Sequence, residues 1–195
     1  MSSRVKELHC IMPIENMASV MSHGILSHNK CEKLAHCDIS DSQVQDRRKD
    51  KEVPKGLKLH DYANLYFCAR NPMMYKRQAN ADNLCVLRIS LKVTKQAGVV
   101  FTDKNAASDY ARFLSVSEVK SKIDFDLVFA DYWTDDDPIE QMKKKTAKCA
   151  EVLVPHAIPA EYIIGAYVVD ENSVQKLQNQ GFNLPISVNS DMFFR

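Results

Sequence analysis

The chain has 195 residues, enough for one domain with a proper core. Its 26 Lys+Arg against 25 Asp+Glu give a formal net charge of +1, which excludes strong global attraction to polyanions, so any nucleic-acid contact must rest on local basic patches. No apolar run approaches the roughly 20 residues that span a bilayer, and MSSRVKELHC has no apolar export core. The six scattered cysteines are therefore expected to be reduced thiols of a cytoplasmic protein.

In chain order, residues 5–12 read as a strand and 14–23 as a helix closed by Gly24. The polar stretch 29–61 contains DSQVQDRRKDKEVPKG, a short helix ended by Pro54 and Gly56. Residues 65–68 form a short apolar strand, and Asn71-Pro72 opens a turn or helix with Met73, Met74 and Tyr75. LCVLRISLKV (84–93) is the clearest strand by its β-branched, alternating character, and 99–102 is another, followed by the turn-like DKNAASD. A helix is expected over 117–123. Residues 125–134 and three aspartates then lead into a charged helix running through Lys148. Strand VLV after Glu151, strand YIIGAYVV, helix NSVQKLQNQG and strand LPISV complete an α+β pattern.

Several constellations have chemical potential. His28, Cys31, His36 and Cys37 are competent zinc ligands, but their spacing is not a recurrent zinc pattern and adjacent His36 and Cys37 would struggle to share one ion, so no metal is expected. There is no GxxxxGK[ST] or GxGxxG, and five glycines leave little material for either phosphate cradle. No cysteine sits in a recognisable nucleophile elbow. The Arg47-Arg48 pair reads either as a solvated face of a mixed-charge helix or as a fork aimed inward at phosphate or carboxylate. Glu151, heading an apolar strand, is either a solvated strand end or a carboxylate held for chemistry.

Several stretches together resemble the DarT family, the DNA ADP-ribosyltransferase toxins of DarT–DarG toxin–antitoxin systems. LHCIMPIENMASVMSHGILS is similar to the family's opening strand and helix. VQDRRKDKEVPKGLKLHDYANLYFCARNPMMY is the most specific stretch, combining an RR pair, a VP turn, HDY, a YF strand and R-[SN]-P-M-x-Y. FTDKNAASDYARF, DYWTDDDP and KCAEVLVP follow in the family's order, so the likeness runs from about Leu8 to Val154.

The resemblance implies one ADP-ribosyltransferase domain over 1–195, with a central mixed or antiparallel β core, short flanking helices and a substrate-recognition loop at 126–150. It implies NAD as donor, with His9, Cys10, Ile11, Ser19, Leu26 and Arg48 contacting it, and Glu151 and Arg48 as catalytic residues. Met12 stands where many relatives have threonine, and the His9–Asn16 spacing is one residue longer than in some. Glu151 would hydrogen-bond the ribose 2′-hydroxyl and stabilise an oxocarbenium-like transition state. A strand would hold it rigidly while the preceding loop left its head free. Arg48 would clamp the pyrophosphate or help deprotonate the acceptor base, and His9 would orient the ribose or nicotinamide end.

The implied acceptor is a base of single-stranded DNA, thymine slightly favoured over guanine, and the implied partner a macrodomain antitoxin. Tyr132 and Trp133 offer stacking surfaces, while Lys143, Lys144, Lys145, Lys148, Arg70 and Arg77 offer charges for phosphates, with Lys76 extending the track. Trp133 as core and the lysines as a solvated helix face are the bland alternatives. Rival readings are a transferase acting on RNA or protein, a catalytically silent nucleic-acid-binding module, and a zinc-binding interaction module.

Overall fold

Leu84, Cys85, Val86, Leu87 and Ile89 are all buried. A strand apolar on both faces has to be covered on both, which puts it inside a sheet. The computed structural model describes residues 2–195. Its strands are β1 (Leu8–Pro13), β2 (Ile25–Leu26), β3 (Tyr62–Tyr66), β4 (Leu84–Ile89), β5 (Val100–Thr102), β6 (Phe113–Leu114), β7 (Glu151–Pro155), β8 (Ala157–Ile158), β9 (Ile163–Val168) and β10 (Ile186–Val188). Eight of them form one sheet in the order β10-β9-β4-β1-β3-β7-β5-β6, while β2 and β8 pair separately. The β9–β10 pair is parallel and the other neighbours are antiparallel, so the sheet is mixed and the expected α+β class holds.

Short helices pack around it: α1 (Met17–His23), α2 (His28–Cys31), α3 (Ser42–Lys49), α4 (Pro72–Arg77), α5 (Val119–Lys122), α6 (Phe125–Val128), α7 (Pro138–Ala147) and α8 (Glu171–Asn179). Their starts are encoded locally. Asp41 caps α3 by accepting from the Val44 amide. Asn71 caps α4 through Met73 and Met74, with Pro72 at the first helical position. One face of the sheet buries Cys10, Leu87, Val152 and Val154 against Met17 and Val20 of α1. The other buries Ile11, Tyr66 and Val86 against Met74 and Phe193. Gly24 closes α1 with φ +79, and a Cβ there would lie 2.3 Å from the Ile158 carbonyl oxygen of β8. Glycine is required both by the left-handed backbone and by this close approach.

Three boundaries differ from the sequence expectation. The strand expected over 84–93 ends at Ile89, because Ser90 accepts from the Lys92 amide and starts the 3-10 turn Leu91–Lys95, which buries Val93. The helix around the RR pair stops at Lys49, well before Pro54, and the chain turns back through a Glu52–Lys58 bridge. The strand expected at 65–68 begins at Tyr62, because Tyr62 to Tyr66 pair residue by residue with Pro155 to Glu151.

Candidate active site

Glu151 is the first residue of β7, a strand held between β3 and β5. Its amide donates to Thr102 Oγ1 at 3.1 Å, and Thr102 in turn donates to the Lys104 carbonyl at 2.7 Å. The carboxylate is 0% exposed, which rules out a solvated strand end. Arg48 Nη1 reaches its two oxygens at 3.3 and 3.1 Å, and the Ala106 amide donates to Oε1 at 3.2 Å. The expectation of a free carboxylate head is therefore corrected: the head is sealed beneath a guanidinium that is itself only 7% exposed. Neighbouring helix positions differ by about 100° in direction, so Arg47 stays at the surface while Arg48 turns in. The solvated-face reading fits Arg47 alone.

Three ties aim α3 at β7. Lys76 pairs with Asp41 at 2.9 Å, holding the Asp41 carboxyl below its ordinary range. Arg77 donates to the carbonyls of Ile39 and Ser40 at 2.8 and 2.9 Å. Beyond the helix, Lys51 donates to the Ser108 carbonyl, fastening α3 to the loop that carries Ala106.

Arg48 also lines a cavity of about 390 Å³, within the range of small-molecule sites. Its walls come from β1, α1, β2, α2, α3, Tyr62 to Tyr66 and α4, with Lys145 and Cys149 closing one side. Cys10, Ile11, Ser19 and Leu26 all lie on the wall, together with Arg48. His9 does not. Although it shares a strand face with Ile11 and Tyr66, its ring lies towards Glu7 at 3.3 Å and Tyr167 at a centroid distance of 6.2 Å. The expected contact of the His9 side chain with ribose or nicotinamide is therefore not supported by this arrangement. His9, Tyr66 and Glu151 are register partners across three adjacent strands. Burial, and then the charge of Glu151, raise the Tyr66 hydroxyl well above its ordinary pKa, so it stays a neutral phenol facing the cavity.

The segment 126–150 is not one loop: it contains the end of α6 and all of α7. Within it, Lys143 pairs with Glu140 at 2.6 Å and Lys144 with Asp135 at 2.5 Å. Lys145 lies on the cavity wall, and no carboxylate among the described residues pairs with it. Lys148 departs from the sequence expectation. It is 1% exposed and its ammonium donates to the carbonyls of Val128 and Ala130, so it tethers the chain from inside and cannot reach a phosphate. Burial lowers its pKa.

Arg70 is likewise engaged, donating to the Asp191 and Asp131 carbonyls at 2.9 and 2.6 Å. Arg77 is spent on the 39–40 carbonyls, although it borders the cavity. Both arginines thus act as braces rather than as free phosphate contacts. Tyr132 is 73% exposed, and Trp133 is neither fully buried nor free, meeting Tyr75 and Phe194 edge-on. Cys31 Sγ and His36 Nε2 lie 3.8 Å apart, but His28 turns instead to Glu32 and to the ring of His60. No group of three or more metal-competent side chains occurs among the described residues.

Sequence reasoning passed over several groups. His60 meets the His28 ring at a centroid distance of 4.1 Å, tilted by 39°, on the cavity wall, donates from Nε2 to Gln45 Oε1 at 3.1 Å, and has its pKa lowered by burial, then by His28 and Arg48. Asn16 grips the Cys37 backbone through both ends of its amide, at 2.8 Å each, fixing the cavity's outer loop. The Ala106 amide has no side-chain signal at all; only the position of FTDKNAASD between two strands hinted at it.

Comparison with known proteins agrees with this geometry. A family model described as "ssDNA thymidine ADP-ribosyltransferase, DarT" matches residues 9–194. The chain is 30% identical to a DNA ADP-ribosyl transferase–DNA ADP-ribosyl glycohydrolase fusion protein of Thermosipho africanus, over 100% of this chain and 51% of that protein. It therefore spans about half the length of that relative. The structure of Thermosipho africanus DarTG in complex with ADP-ribose superposes with a TM-score of 0.85 at 28% identity, covering 97% of this chain and 51% of that one. Thermus sp. 2.9 DarT in complex with ADP-ribosylated ssDNA gives 0.83 at 25% identity, covering 99% and 98%.

Proposed function

The chain belongs to the DarT family, and from that premise we propose that it transfers ADP-ribose from NAD onto a base of single-stranded DNA. The observation that carries the reading is the buried Arg48–Glu151 pair, whose Arg48 lines a 390 Å³ cavity together with Cys10, Ile11, Ser19 and Leu26. A buried carboxylate with a guanidinium partner that lines a pocket suits a reaction that develops positive charge in a water-poor site.

In this reading NAD occupies the cavity with its ribose at Arg48. Breaking the bond from ribose C1′ to nicotinamide spreads positive charge over C1′ and the ring oxygen. Glu151 stabilises that charge and hydrogen-bonds the 2′-hydroxyl, nicotinamide departs neutral with the electron pair of the broken bond, and the base nitrogen attacks C1′ as its proton passes to solvent water. Arg48 stands between the cavity and Glu151, so substrate entry requires the guanidinium to swing off the carboxylate. Released, it can hold the pyrophosphate or lie beside the acceptor base. The Ala106 amide keeps Oε1 in place throughout.

Thymine is the favoured base, in line with the family's description. The whole of 1–195 would then be one transferase domain, with 126–150 recognising DNA and Tyr132, Lys143, Lys144 and Lys145 at its outer face. The fusion of a relative to a DNA ADP-ribosyl glycohydrolase supports a macrodomain antitoxin as partner. The protein would act as a cytoplasmic toxin that blocks replication by modifying the template. No helix among the described residues is long and apolar enough to cross a membrane.

The test is mass spectrometry of single-stranded oligonucleotides of varied sequence after incubation with NAD, with wild type and Glu151→Ala side by side. A gain of one ADP-ribose in wild type alone supports the reading, and fragmentation names the base. Transfer only to RNA or protein acceptors would replace the substrate. Intact NAD with every acceptor would leave a silent binding module.

A further inference from the structure

His60 stands where three elements meet beside the active pair, and the transfer chemistry leaves it without a role. It sits in the 3-10 turn Leu59–Asp61, which packs against α2 and α3 and runs straight into β3. The residue is buried and lines the cavity with His28, Gln45 and Arg48. Its Nε2 reaches Gln45 Oε1 at 3.1 Å. A carboxamide oxygen only accepts, so Nε2 carries the hydrogen. Gln45 and Arg48 are three positions apart on α3, a spacing that puts both on one face of the helix. The His28 ring meets the imidazole at 4.1 Å and is itself held by Glu32 at 3.2 Å, while Asn29 fastens α2 to Asp61 at 2.7 Å.

Asp41 and Lys51 tie the two ends of α3, and Gln45 ties its middle. That middle tie joins the Arg48 face of the helix to the turn that begins β3. From there β3 pairs residue by residue with β7, as far as Tyr66 opposite Glu151. The Gln45–His60 bond thus links the helix of the guanidinium to the ladder that carries the carboxylate. We propose that His60 is a positioning residue for Arg48, acting through Gln45 to set where the guanidinium stands over Glu151. The inference rests on the transfer reading. Gln45 and Arg48 face the ring from α3, His28 and Glu32 from α2, and Asp61 shares its turn. Burial, then His28 and Arg48, lower its pKa against the weaker pull of Glu32, so the ring is neutral at pH 7. A proton added at Nδ1 sets a second cation beside Arg48 and opposes the positive charge that transfer develops.

The test is the rate of ADP-ribose transfer to a thymidine-containing oligonucleotide at saturating NAD, followed from about pH 5 to 8, where histidines titrate. His60→Leu and Gln45→Leu should each slow transfer at the alkaline end by about 2- to 12-fold, the worth of one net hydrogen bond. The double variant should be no slower than either, because both substitutions remove the same bond. His60→Gln, whose amide donates from the place of Nε2, should recover the wild-type rate at the alkaline end. It should also lack the fall in rate that wild type shows towards acid. Losses that multiply in the double variant overturn the proposal, as does a His60→Gln as slow as His60→Leu or one that keeps the acid fall. If melting shows His60→Leu unfolded, Gln45→Leu and His60→Gln decide, and a wild-type rate in Gln45→Leu overturns it. If wild type modifies no acceptor, the transfer reading fails and the positioning role with it. If wild type and both leucine variants transfer equally fast, the transfer reading stands and the positioning role alone falls.

Discussion

Arg48→Ala separates structure from chemistry at the centre of the molecule. The substitution removes the guanidinium from a Glu151 carboxylate that is 0% exposed in the wild type, leaving it a single donor, the Ala106 amide at 3.2 Å. Removing one partner of a buried ion pair typically destabilises by about 3–5 kcal/mol, because the survivor stays desolvated without its counter-charge. At about 2–4 °C per kcal/mol for a domain of this size, the melting temperature should drop by about 6–20 °C. Adding Glu151→Gln to Arg48→Ala removes the stranded charge, so the double variant should be more stable than Arg48→Ala. Urea unfolding of wild type, both single variants and the double variant measures that coupling. A loss below about 1 kcal/mol for Arg48→Ala, the range of exposed pairs, would mean that water reaches the site and that the buried pair is not the organising feature.

Three further outcomes follow from the same geometry. Lys148→Met should destabilise by about 1–3 kcal/mol, since it leaves the Val128 and Ala130 carbonyls without their donor. It should leave the salt dependence of DNA binding unchanged, whereas Lys145→Met should lower the slope of log Kobs against log salt by about one, and anisotropy titrations at several salt concentrations compare the two. Burial alone would raise the Glu7 pKa, but hydrogen bonds from His9, Arg88 and Tyr167 outweigh it and bring it down to about 2 from an ordinary 4.5. A carboxyl with a depressed folded-state pKa contributes stability that is complete above about pH 4.5 and lost as pH falls towards 2. Acid unfolding of Glu7→Gln should therefore be flatter than wild type across that window. Gly24→Ala forces a Cβ to within 2.3 Å of the Ile158 oxygen at positive φ, which should both destabilise the fold and weaken NAD binding through the displaced Ser19 and Leu26, as calorimetry would show.

What could be read ahead of the structure was whatever short-range chemistry determines. Asp41, Asn71-Pro72 and Gly24 marked their helix ends because a cap acts on amides two or three positions away. LCVLRI was legible as a strand because both its faces are buried, but the turn after Ile89 depends on the Ser90 side chain and on a place to bury Val93. Glu151 and Arg48 were singled out by family resemblance, yet their meeting across 103 residues is a property of strand order that no local window contains. Lys148 misled for the opposite reason. It follows a lysine run on α7 but sits just past the last helical residue, Ala147, where the chain turns in towards β7 and buries it. His9 was assigned by its motif, but its ring pairs with Glu7 from the same strand's approach, a contact that the motif does not encode.

The position of β7 also sets when the centre comes into being. β3 pairs with β1 on one side and waits for β7 on the other, and Arg48 is made 103 residues before Glu151. At about 5–20 residues per second of synthesis, some 5–20 s separate the two. During that interval the growing chain exposes an open β3 edge, the kind of edge that recruits foreign strands, and an arginine with no counter-charge. A ribosome-bound chain therefore holds most of the cavity wall before Glu151 is made, and closing the sheet and pairing Arg48 with its carboxylate are a single event.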